Sequence, residues 1–298
     1  MSESKQAKPQ VPPEVKARIE AFKKIREQEK MIEENMKKIK YKIAVLSGKG
    51  GVGKSFVTAS LAFALSYLGK KVGVLDADIY GPSIPKMMGV QGQYVLATGE
   101  GRLIPVVAPL GVKVLSIGLM LPAEDVPVIW RGAMTTSAIR EMLAYADWGE
   151  LDYLLIDLPP GTGDEQLTIV QLIKDMTGAI IVTIPSDVSR LVVAKAINFC
   201  KKLNLNILGI IENMSYFVCP DGSKHYIFGE GAGRRIAEQY KIPFLGEIPI
   251  DPRISRANDR GEPFFVKYPD SPAAKAIIEL ARRLIKQLEG ENEDGGEK

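Results

Sequence analysis

Two lysines in a glycine-rich loop are the residues best placed to do chemistry in this sequence. The loop reads Gly48-Lys49-Gly50-Gly51-Val52-Gly53-Lys54-Ser55, between an apolar segment and a helical pattern. Glycines let backbone N–H groups approach phosphate oxygens, and the N-terminus of the following helix adds positive potential. We therefore interpret the loop as a phosphate-binding P-loop rather than a glycine-rich turn of chance composition. In a P-loop, Lys54 contacts the β- and γ-phosphates and the Ser55 hydroxyl binds Mg²⁺.

Three aspartates follow apolar segments of strand length. Asp76 and Asp78 come after residues 72–75, and Asp157 comes after residues 153–156. Carboxylates at the ends of parallel strands face the ligand crevice of an open α/β sheet. Hard Mg²⁺ prefers carboxylate or water-bridged carboxylate ligands. We predict that Asp157 and Asp76 lie near the magnesium ion; for Asp76 and Asp78, solvated loop carboxylates are the alternative.

The segment after Asp157 reads Pro159-Pro160-Gly161-Thr162-Gly163-Asp164. Its two glycines would let the loop move when a γ-phosphate is present, so we interpret it as a switch. A rigid turn would use the same residues.

Short apolar segments alternate with helical patterns from Lys42 onward, and these are the elements that must position the loop and the aspartates. Continuous Val, Ile and Leu segments between helices are typical of a parallel sheet covered on both faces. The predicted fold class is α/β: three layers, with a mostly parallel sheet, helices on both faces and an N-terminal helical extension. The predicted strands are 43–46, 72–75, 112–117, 153–156, 179–184, 207–211 and 244–248, and the predicted helices include 54–68, 135–145, 188–203 and 273–288.

Composition divides the chain into four segments. Residues 1–13 are polar and predicted to be disordered. Residues 14–41 form a charged helical extension, in which apolar residues recur at helical spacing, and we expect it to pack on the main body or on a partner. Residues 42–288 form the P-loop ATPase domain, and residues 289–298 form an acidic tail.

The bulk composition excludes several classes of protein. The 39 basic and 36 acidic residues give a net charge of +3, without the concentrated basic face expected of a nucleic-acid-binding protein. No apolar run approaches the ~20 residues that span a bilayer, and the N-terminus has no secretory signal. Cys200 and Cys219 are the only cysteines, which excludes a disulfide framework. We expect a cytoplasmic protein that binds neither nucleic acid nor membrane.

The loop with its additional lysine resembles the deviant Walker A motif of the MinD/ParA/nitrogenase-iron-protein group. The resemblance implies that Lys49 reaches across a homodimer interface to the phosphates of the neighbouring subunit, and that Asp78 orients the attacking water. A cation supplied in trans neutralises charge that develops on the phosphates during hydrolysis. Lys49, Lys54 and Asp78 are therefore the expected catalytic residues of a slow, dimer-coupled ATPase. A lysine that is merely solvated is the alternative for Lys49.

Further segments resemble the Mrp/ApbC branch of these ATPases, which is linked to carrying and assembling iron–sulfur clusters. The resemblance extends in order from about Lys42 to Leu288. The matching segments are 76–83, 127–132, 159–164, 212–215 and 246–252. The resemblance implies ATP and Mg²⁺ as cofactors, an iron–sulfur cluster as cargo, and apo acceptor proteins or an assembly scaffold as partners.

The same resemblance implies a pocket for the nucleotide base. Asn213 would hydrogen-bond the base, Pro249 and Asp251 would line its pocket, and Trp130-Arg131-Gly132 would lie near the dimer interface. Asn213 lacks the following Lys-x-Asp of guanine-selective loops, which favours ATP; an asparagine that merely ends a strand is the alternative. Phe56 stands where the family usually has threonine, but its backbone N–H remains available to the phosphate.

The sequence departs from the family at the expected cluster ligands. The family has Cys-x-x-Cys after its Asn-Met-Ser segment, whereas here Cys219 is followed by Gly222 at the second cysteine position. A symmetric dimer would therefore offer two thiolates instead of four. Three hypotheses remain: two Cys219 residues bind a cluster with other ligands such as His225, a partner supplies the missing donors, or cluster binding is lost and Cys219 is structural or inert.

The leading functional hypothesis is an ATP-binding and ATP-hydrolysing homodimeric carrier or assembly factor for iron–sulfur clusters. The alternative is a ParA/MinD-like switch, in which ATP-gated dimerisation positions a cargo without binding a cluster. A small-molecule P-loop kinase has less support, because no acceptor-binding lid is evident and Lys49 has no role in it.

Overall fold

The computed structural model describes residues 12–121 and 132–290, in which helices and strands alternate along most of the chain. The helices are α1 (Pro13–Met36), α2 (Lys54–Tyr67), α3 (Ile84–Met87), α4 (Gly132–Tyr145), α5 (Asp164–Leu172), α6 (Asp187–Lys202), α7 (Ala232–Tyr240), α8 (Arg253–Arg260), α9 (Phe264–Lys267) and α10 (Pro272–Glu289). The segments expected near the dimer interface and in the acidic tail, Trp130-Arg131 and residues 291–298, lie outside the described residues, as do residues 1–11 of the expected disordered N-terminus.

Within the described residues, nine strands form the main sheet and two form a separate hairpin. The strands are β1 (Ile39–Ser47), β2 (Val72–Asp76), β3 (Leu96–Ala97), β4 (Leu103–Ile104), β5 (Val106–Val107), β6 (Lys113–Ser116), β7 (Leu151–Asp157), β8 (Gly178–Thr183), β9 (Ile207–Val218), β10 (Lys224–His225) and β11 (Phe244–Ile250). The predicted strands are all present. β2, β7 and β11 extend one or two residues beyond their predicted bounds, β6 is one residue shorter at each end, β1 begins four residues earlier, and β9 ends seven residues later.

The order in the main sheet is β10-β9-β8-β1-β7-β2-β6-β5, and β11 also pairs with β9. The pairs among β1, β2, β6, β7, β8, β9 and β11 are parallel, while β5 and β10 are antiparallel to their neighbours. Since parallel strands end at the same edge, this order brings the ends of β1, β2 and β7 together. The mostly parallel sheet predicted from the sequence is confirmed.

Alternate residues of the central strand β1 enter two different cores. Ile43 and Val45 belong to a core shared with α2 and α10, whereas Ala44 and Leu46 belong to a core shared with α1, α4 and α5. Side chains alternate between the faces of a strand, so both faces of β1 are covered. Residues 43–46 of the strand are all apolar for this reason, and the three-layer prediction is confirmed.

The N-terminal extension is shorter than predicted and only partly packed. Helix α1 ends at Met36, and Ile39 already begins β1, so the expectation of a helix through residue 41 is wrong at its end. Ile32 and Met36 are buried, and Asn35 Nδ2 donates to the carbonyl oxygens of Leu143 (3.1 Å) and Ala144 (2.8 Å) at the end of α4. This capping interaction satisfies terminal carbonyls of α4 and ties α1 to the body.

Helix α10 closes the fold beside β11. It begins after Ser271, whose Oγ accepts a hydrogen bond from Ala273 N (3.2 Å), as an N-cap does. At its other end Glu289 accepts hydrogen bonds from Tyr153 Oη (2.6 Å) and Lys70 Nζ (2.7 Å). These two hydrogen bonds hold the C-terminus of α10 against the body of the fold. Among the described residues, no helix has the length and apolar character needed to cross a bilayer.

Candidate functional site

The glycine-rich loop connects the end of β1 to the start of α2. Gly51 and Gly53 both have φ of +79°, a left-handed conformation that favours glycine. A Cβ on Gly50 or Gly51 would meet no atom within 4 Å, so the loop leaves open space above its backbone. Lys54 is the first residue of α2. The loop thus has the strand–loop–helix arrangement that binds phosphate.

A buried cluster below the loop is centred on Asp157, the last residue of β7. Its Oδ2 lies 2.6 Å from Lys54 Nζ and accepts a hydrogen bond from Ser55 Oγ at 2.6 Å. Its Oδ1 accepts a hydrogen bond from Thr58 Oγ1, also at 2.6 Å. Asp157 is fully buried and Lys54 nearly so, and charge-assisted contacts of this kind are strong. The structure therefore brings together three residues predicted from the sequence: Lys54, Ser55 and Asp157.

Thr58 is a further member of this cluster that was not predicted from the sequence. It lies four residues after Lys54, and residues four apart share one face of a helix. Its hydroxyl bonds both the Lys54 carbonyl (3.1 Å) and Asp157. That spacing was the signal that would have identified it.

A second carboxylate, Asp76, lies directly beside Asp157. The two residues are paired in register between β2 and β7, and both are fully buried. Ser116 Oγ donates to Asp76 Oδ2 at 3.0 Å. Burial and the neighbouring Asp157 carboxylate raise the pKa of Asp76. Two adjacent carboxylates with the Ser55 hydroxyl form an all-oxygen donor set, which fits a hard divalent cation such as Mg²⁺.

Asp78 and Lys49 lie further out, at the open side of the loop. Asp78 is half-buried, and its Oδ1 accepts a hydrogen bond from Gly81 N at 3.3 Å. Burial raises the pKa of Asp78, while the nearby Lys54 opposes this shift. Lys49 is half-buried, and none of the contacts described for residues 12–121 and 132–290 pairs its ammonium group.

The segment predicted to be a switch is fixed at several points. Gly161 N donates to Ser47 O at 3.0 Å. Gln166 accepts from Gly163 N (2.8 Å) and donates to Pro159 O (2.9 Å) and Pro160 O (3.1 Å). Gln166 was not predicted from the sequence, and its side chain ties this segment to α5.

A cavity of about 550 Å³ opens beside the loop. Its lining includes Gly53, Phe56, Met87, Asn213, Met214, Phe228, Pro249 and Asp251. Asn213 lies in the middle of β9, not at its end, and its Nδ2 donates to Val52 O at 2.9 Å. With Nδ2 engaged by the loop, Oδ1 has no described partner and is free to accept.

Asp251 lines this cavity, but its carboxylate is already engaged. It accepts hydrogen bonds from Arg253 Nε (2.9 Å) and Nη2 (2.6 Å) and from Ser271 Oγ (2.7 Å). Burial acts to raise the pKa of Asp251, but these hydrogen bonds outweigh it and lower the pKa to about 2. Asp251 is therefore ionised and fixed in place near neutral pH.

Cys219 lies in the turn between β9 and β10, which we call the Cys219 turn (residues 219–223). Its N–H donates to Ser223 O and its carbonyl accepts from Gly222 N, both at 2.9 Å. Cys219 is half-buried and lines a second cavity of about 480 Å³. Residues 249–252 line both this cavity and the 550 Å³ cavity beside the loop. His225 is exposed and pairs in register with Phe217. By contrast, Cys200 is buried, and burial raises the pKa of its thiol to about 12.

Comparison with known proteins places this geometry in a family. A family model described as ParA: NUBPL iron-transfer P-loop NTPase matches residues 38–285. The chain belongs to this family of P-loop NTPases. It is 56% identical over 259 residues to the iron-sulfur cluster carrier protein of Saccharolobus solfataricus, covering 87% of each chain. It is 52% identical over 272 residues to the iron-sulfur cluster carrier protein of Methanocaldococcus jannaschii, covering 91% of this chain and 93% of that one.

Solved structures agree with the assignment. A nucleotide-binding protein from Archaeoglobus fulgidus, in complex with ADP, matches with a TM-score of 0.71 and 45% identity over 83% of this chain and 95% of that chain. The septum site-determining protein MinD from Pyrococcus horikoshii, complexed with Mg-ADP, matches with a TM-score of 0.63 and 25% identity over 83% of this chain and 96% of that chain. The family resemblance inferred from the sequence is confirmed.

Proposed function

We propose that this P-loop NTPase is an ATP-binding and ATP-hydrolysing homodimer that carries or assembles iron–sulfur clusters. ATP binding and hydrolysis are supported by the buried cluster directly below the open glycine loop. In this cluster Lys54, Ser55 and Thr58 contact Asp157. The carrying or assembly of clusters is supported by the similarity to proteins named iron-sulfur cluster carriers. Two free cysteines are consistent with the reducing cytoplasm, where we place the protein.

The nucleotide we propose is ATP. Its phosphates would lie on the backbone N–H groups of residues 48–56, with Lys54 exchanging its contact with Asp157 for phosphate oxygens. Its base would occupy the 550 Å³ cavity between Pro249 and Phe56. The free Oδ1 of Asn213 suits the exocyclic amino group of adenine better than the carbonyl oxygen of guanine, because an acceptor needs a donor opposite it.

Hydrolysis would use groups from two subunits. Asp78 would accept a hydrogen bond from the attacking water, since it is only half-buried and a carboxylate can accept several hydrogen bonds in addition to the one from Gly81 N. The Lys49 ammonium group, which has no described partner in its own subunit, would reach the phosphates of the second subunit and stabilise their developing charge. Mg²⁺, when bound, would neutralise phosphate charge, and Ser55, Asp76 and Asp157 are the residues that would hold it.

The cargo site we propose is the Cys219 turn. Two Cys219 thiols in a dimer are fewer than the four thiolates that an all-cysteine cluster site uses. The remaining donors would come from His225 or from an acceptor or scaffold protein. His225 is exposed on the strand that pairs with the Cys219 side of the turn, so it is placed to contribute.

Cluster transfer from anaerobically loaded protein to an apo acceptor tests this function. We expect wild type to transfer its cluster and Cys219→Ala to lose most of that transfer. Cys200→Ala is the matched control, because Cys200 is buried in the core and should not contact a cluster. If wild type retains no iron or acid-labile sulfide after loading, the carrier function is wrong. If Cys219→Ala transfers as well as Cys200→Ala, the Cys219 turn is not the cargo site.

A second candidate is an ATP-gated dimerisation switch that positions a cargo without a cluster. Two observations favour it: the second cysteine position holds Gly222, and the fold is similar to MinD. ATP-dependent dimerisation in protein free of iron, with no cluster transfer, would support this second function.

A further inference from the structure

Three side chains contact the Asp157 carboxylate among residues 12–121 and 132–290, and nucleotide binding would redirect two of them. Lys54 would turn from Asp157 to the phosphates, and the Ser55 hydroxyl would turn to Mg²⁺. We propose that Thr58, the third, is a positioning residue for the magnesium site: its hydroxyl holds Oδ1 of Asp157 in the nucleotide-bound protein and thereby keeps Oδ2 turned toward the ion. This inference rests on the nucleotide site proposed above, and it assigns a residue outside the P-loop motif to that site.

The two carboxylate oxygens of Asp157 have different kinds of partner. Oδ2 lies 2.6 Å from both Lys54 Nζ and Ser55 Oγ, which are the groups that bind phosphate and Mg²⁺ in a P-loop. Oδ1 accepts a hydrogen bond from the Thr58 hydroxyl at 2.6 Å, and no other contact of this oxygen is present in the described part of the chain. The contacts that must be exchanged and the contact that can remain are therefore on opposite oxygens of one carboxylate.

The Thr58 hydroxyl has a single hydrogen and two acceptors within reach. The carbonyl oxygen of Lys54 lies at 3.1 Å and Asp157 Oδ1 lies at 2.6 Å. The carboxylate is the nearer acceptor and the charged one, so it receives the hydrogen. The hydrogen bond from Thr58 to Asp157 is therefore charge-assisted, and its loss would leave a buried carboxylate oxygen without a donor.

Thr58 is held in place by its helix and not by the nucleotide. It lies one turn after Lys54 in α2 and has no exposed surface. Its neighbours Val57 and Ala59 are buried in the core that α2 shares with α10. A β-branched side chain has few rotamers in a helix, which restricts the direction of the hydroxyl further. The Lys54 side chain can therefore turn to the phosphates while Thr58 stays where it is.

The neighbouring carboxylate is fixed in a similar way. Asp76 lies beside Asp157 in register, and both residues are fully buried. Asp76 Oδ2 accepts a hydrogen bond from Ser116 Oγ (3.0 Å), and its Oδ1 accepts one from Asp78 N (3.2 Å). Adjacent carboxylates repel each other when both are ionised, so each needs a donor that holds its orientation. Thr58 supplies this donor for Asp157, as Ser116 does for Asp76.

Calorimetric titration with ADP, once in Mg²⁺ and once in EDTA, tests the proposal without relying on hydrolysis. Thr58→Val keeps the shape of the side chain and removes the hydroxyl. In Mg²⁺ we expect its affinity for ADP to fall by about tenfold or more relative to wild type, which is the loss typical of a missing hydrogen bond to a charged group. In EDTA the Ser55 hydroxyl still contacts Asp157, so the affinity should stay within about threefold of wild type.

Two further variants separate a positioning role from general destabilisation. Thr58→Ser retains the hydroxyl, so it should keep the wild-type ratio of the affinities in Mg²⁺ and in EDTA. Thr177→Val is the matched control: the Thr177 hydroxyl also bonds another element, accepting from Lys42 N at 3.0 Å, but at the opposite end of β1 from the phosphate loop. It should behave as wild type in both titrations. If circular dichroism shows that Thr58→Val does not fold, Thr58→Ala takes its place with the same expected results.

An equal loss of affinity in Mg²⁺ and in EDTA would overturn the proposal, because Thr58 would then support the shape of the loop and not the magnesium site. An unchanged affinity of Thr58→Val in Mg²⁺, or an equal loss in Thr58→Ser, would overturn it as well. Failure here is distinguishable from failure of the proposed function. A wild type that binds ADP in neither solution refutes the nucleotide site, whereas binding that Mg²⁺ does not strengthen refutes only the role of Thr58.

Discussion

The phosphate loop and the Cys219 turn lie at the same edge of one sheet, but they are built differently. Below the loop, Asp157 is fully buried and receives three contacts of 2.6 Å from α2. The Cys219 turn is held by two backbone hydrogen bonds, and residues 220–230 after Cys219 are all exposed. The first region tolerates few changes, because each buried polar group depends on the others. The second can change its ligands without disturbing the core.

Gly222 sets a limit to this freedom. It has a φ of +84°, and a Cβ at this position would meet no atom within 4 Å. A cysteine would fit the space but not the backbone conformation, which favours glycine. The turn is therefore shaped for the residue it has, and a second thiol there would require a different turn.

The largest effect on nucleotide affinity is expected from Lys54→Ala, in the buried cluster below the phosphate loop. Losing one partner of a buried charge contact costs about 2–5 kcal/mol, so nucleotide affinity should fall by about a hundredfold or more. Isothermal titration calorimetry with ATP and ADP measures this. Lys42→Met is the matched control: Lys42 is also buried and lies 2.7 Å from Asp175, but away from the loop. Comparable losses of affinity in both variants would indicate general destabilisation instead.

A smaller and more selective effect is expected from Lys49→Ala. A cation supplied in trans contributes about 10³-fold or more to phosphoryl transfer, so hydrolysis should fall to that extent. Nucleotide binding by the monomer should stay within about threefold of wild type, because Lys54 still contacts the phosphates. Phosphate release and calorimetry on the same preparation separate the two. Parallel loss of binding and hydrolysis would refute the role in trans.

The contrast between the buried phosphate site and the exposed Cys219 turn also explains which features could be predicted from the sequence. The P-loop and the parallel sheet were predicted because buried strands and phosphate loops restrict residue type at every position. Thr58 was not predicted because it lies outside the P-loop motif, and its only signal is its spacing of four residues from Lys54 on α2. The length of β9 was not predicted because Glu212 and Asn213, two polar residues that are buried in the strand, interrupt the apolar pattern after Ile211.

The partners of Asp251 could not be predicted for a different reason. Arg253 is two residues away, but Ser271 is twenty residues away and meets Asp251 only through the packing of α10 against β11. Sequence similarity gave Asp251 a place in the pocket, and the structure adds that its carboxylate is engaged by these two residues.

Asp251 lies in the wall that both cavities share, and its charge is expected to have a modest effect on the free energy of unfolding. Its pKa is about 2 in the folded protein against an ordinary value of 3.8, so the folded state favours the ionised form. The contribution of ionised Asp251 to the free energy of unfolding is present above pH ~4 and is lost as the pH falls toward 2. We expect it to be at most about 1–2 kcal/mol, because the carboxylate is partly solvated. Urea unfolding of Asp251→Asn should therefore show a deficit near neutral pH that shrinks in acid. Asp259→Asn, which removes an exposed partner of Lys86, is the control and should show little deficit. A deficit that stays constant with pH would mean that Asp251 fixes the wall by its shape and not by its charge.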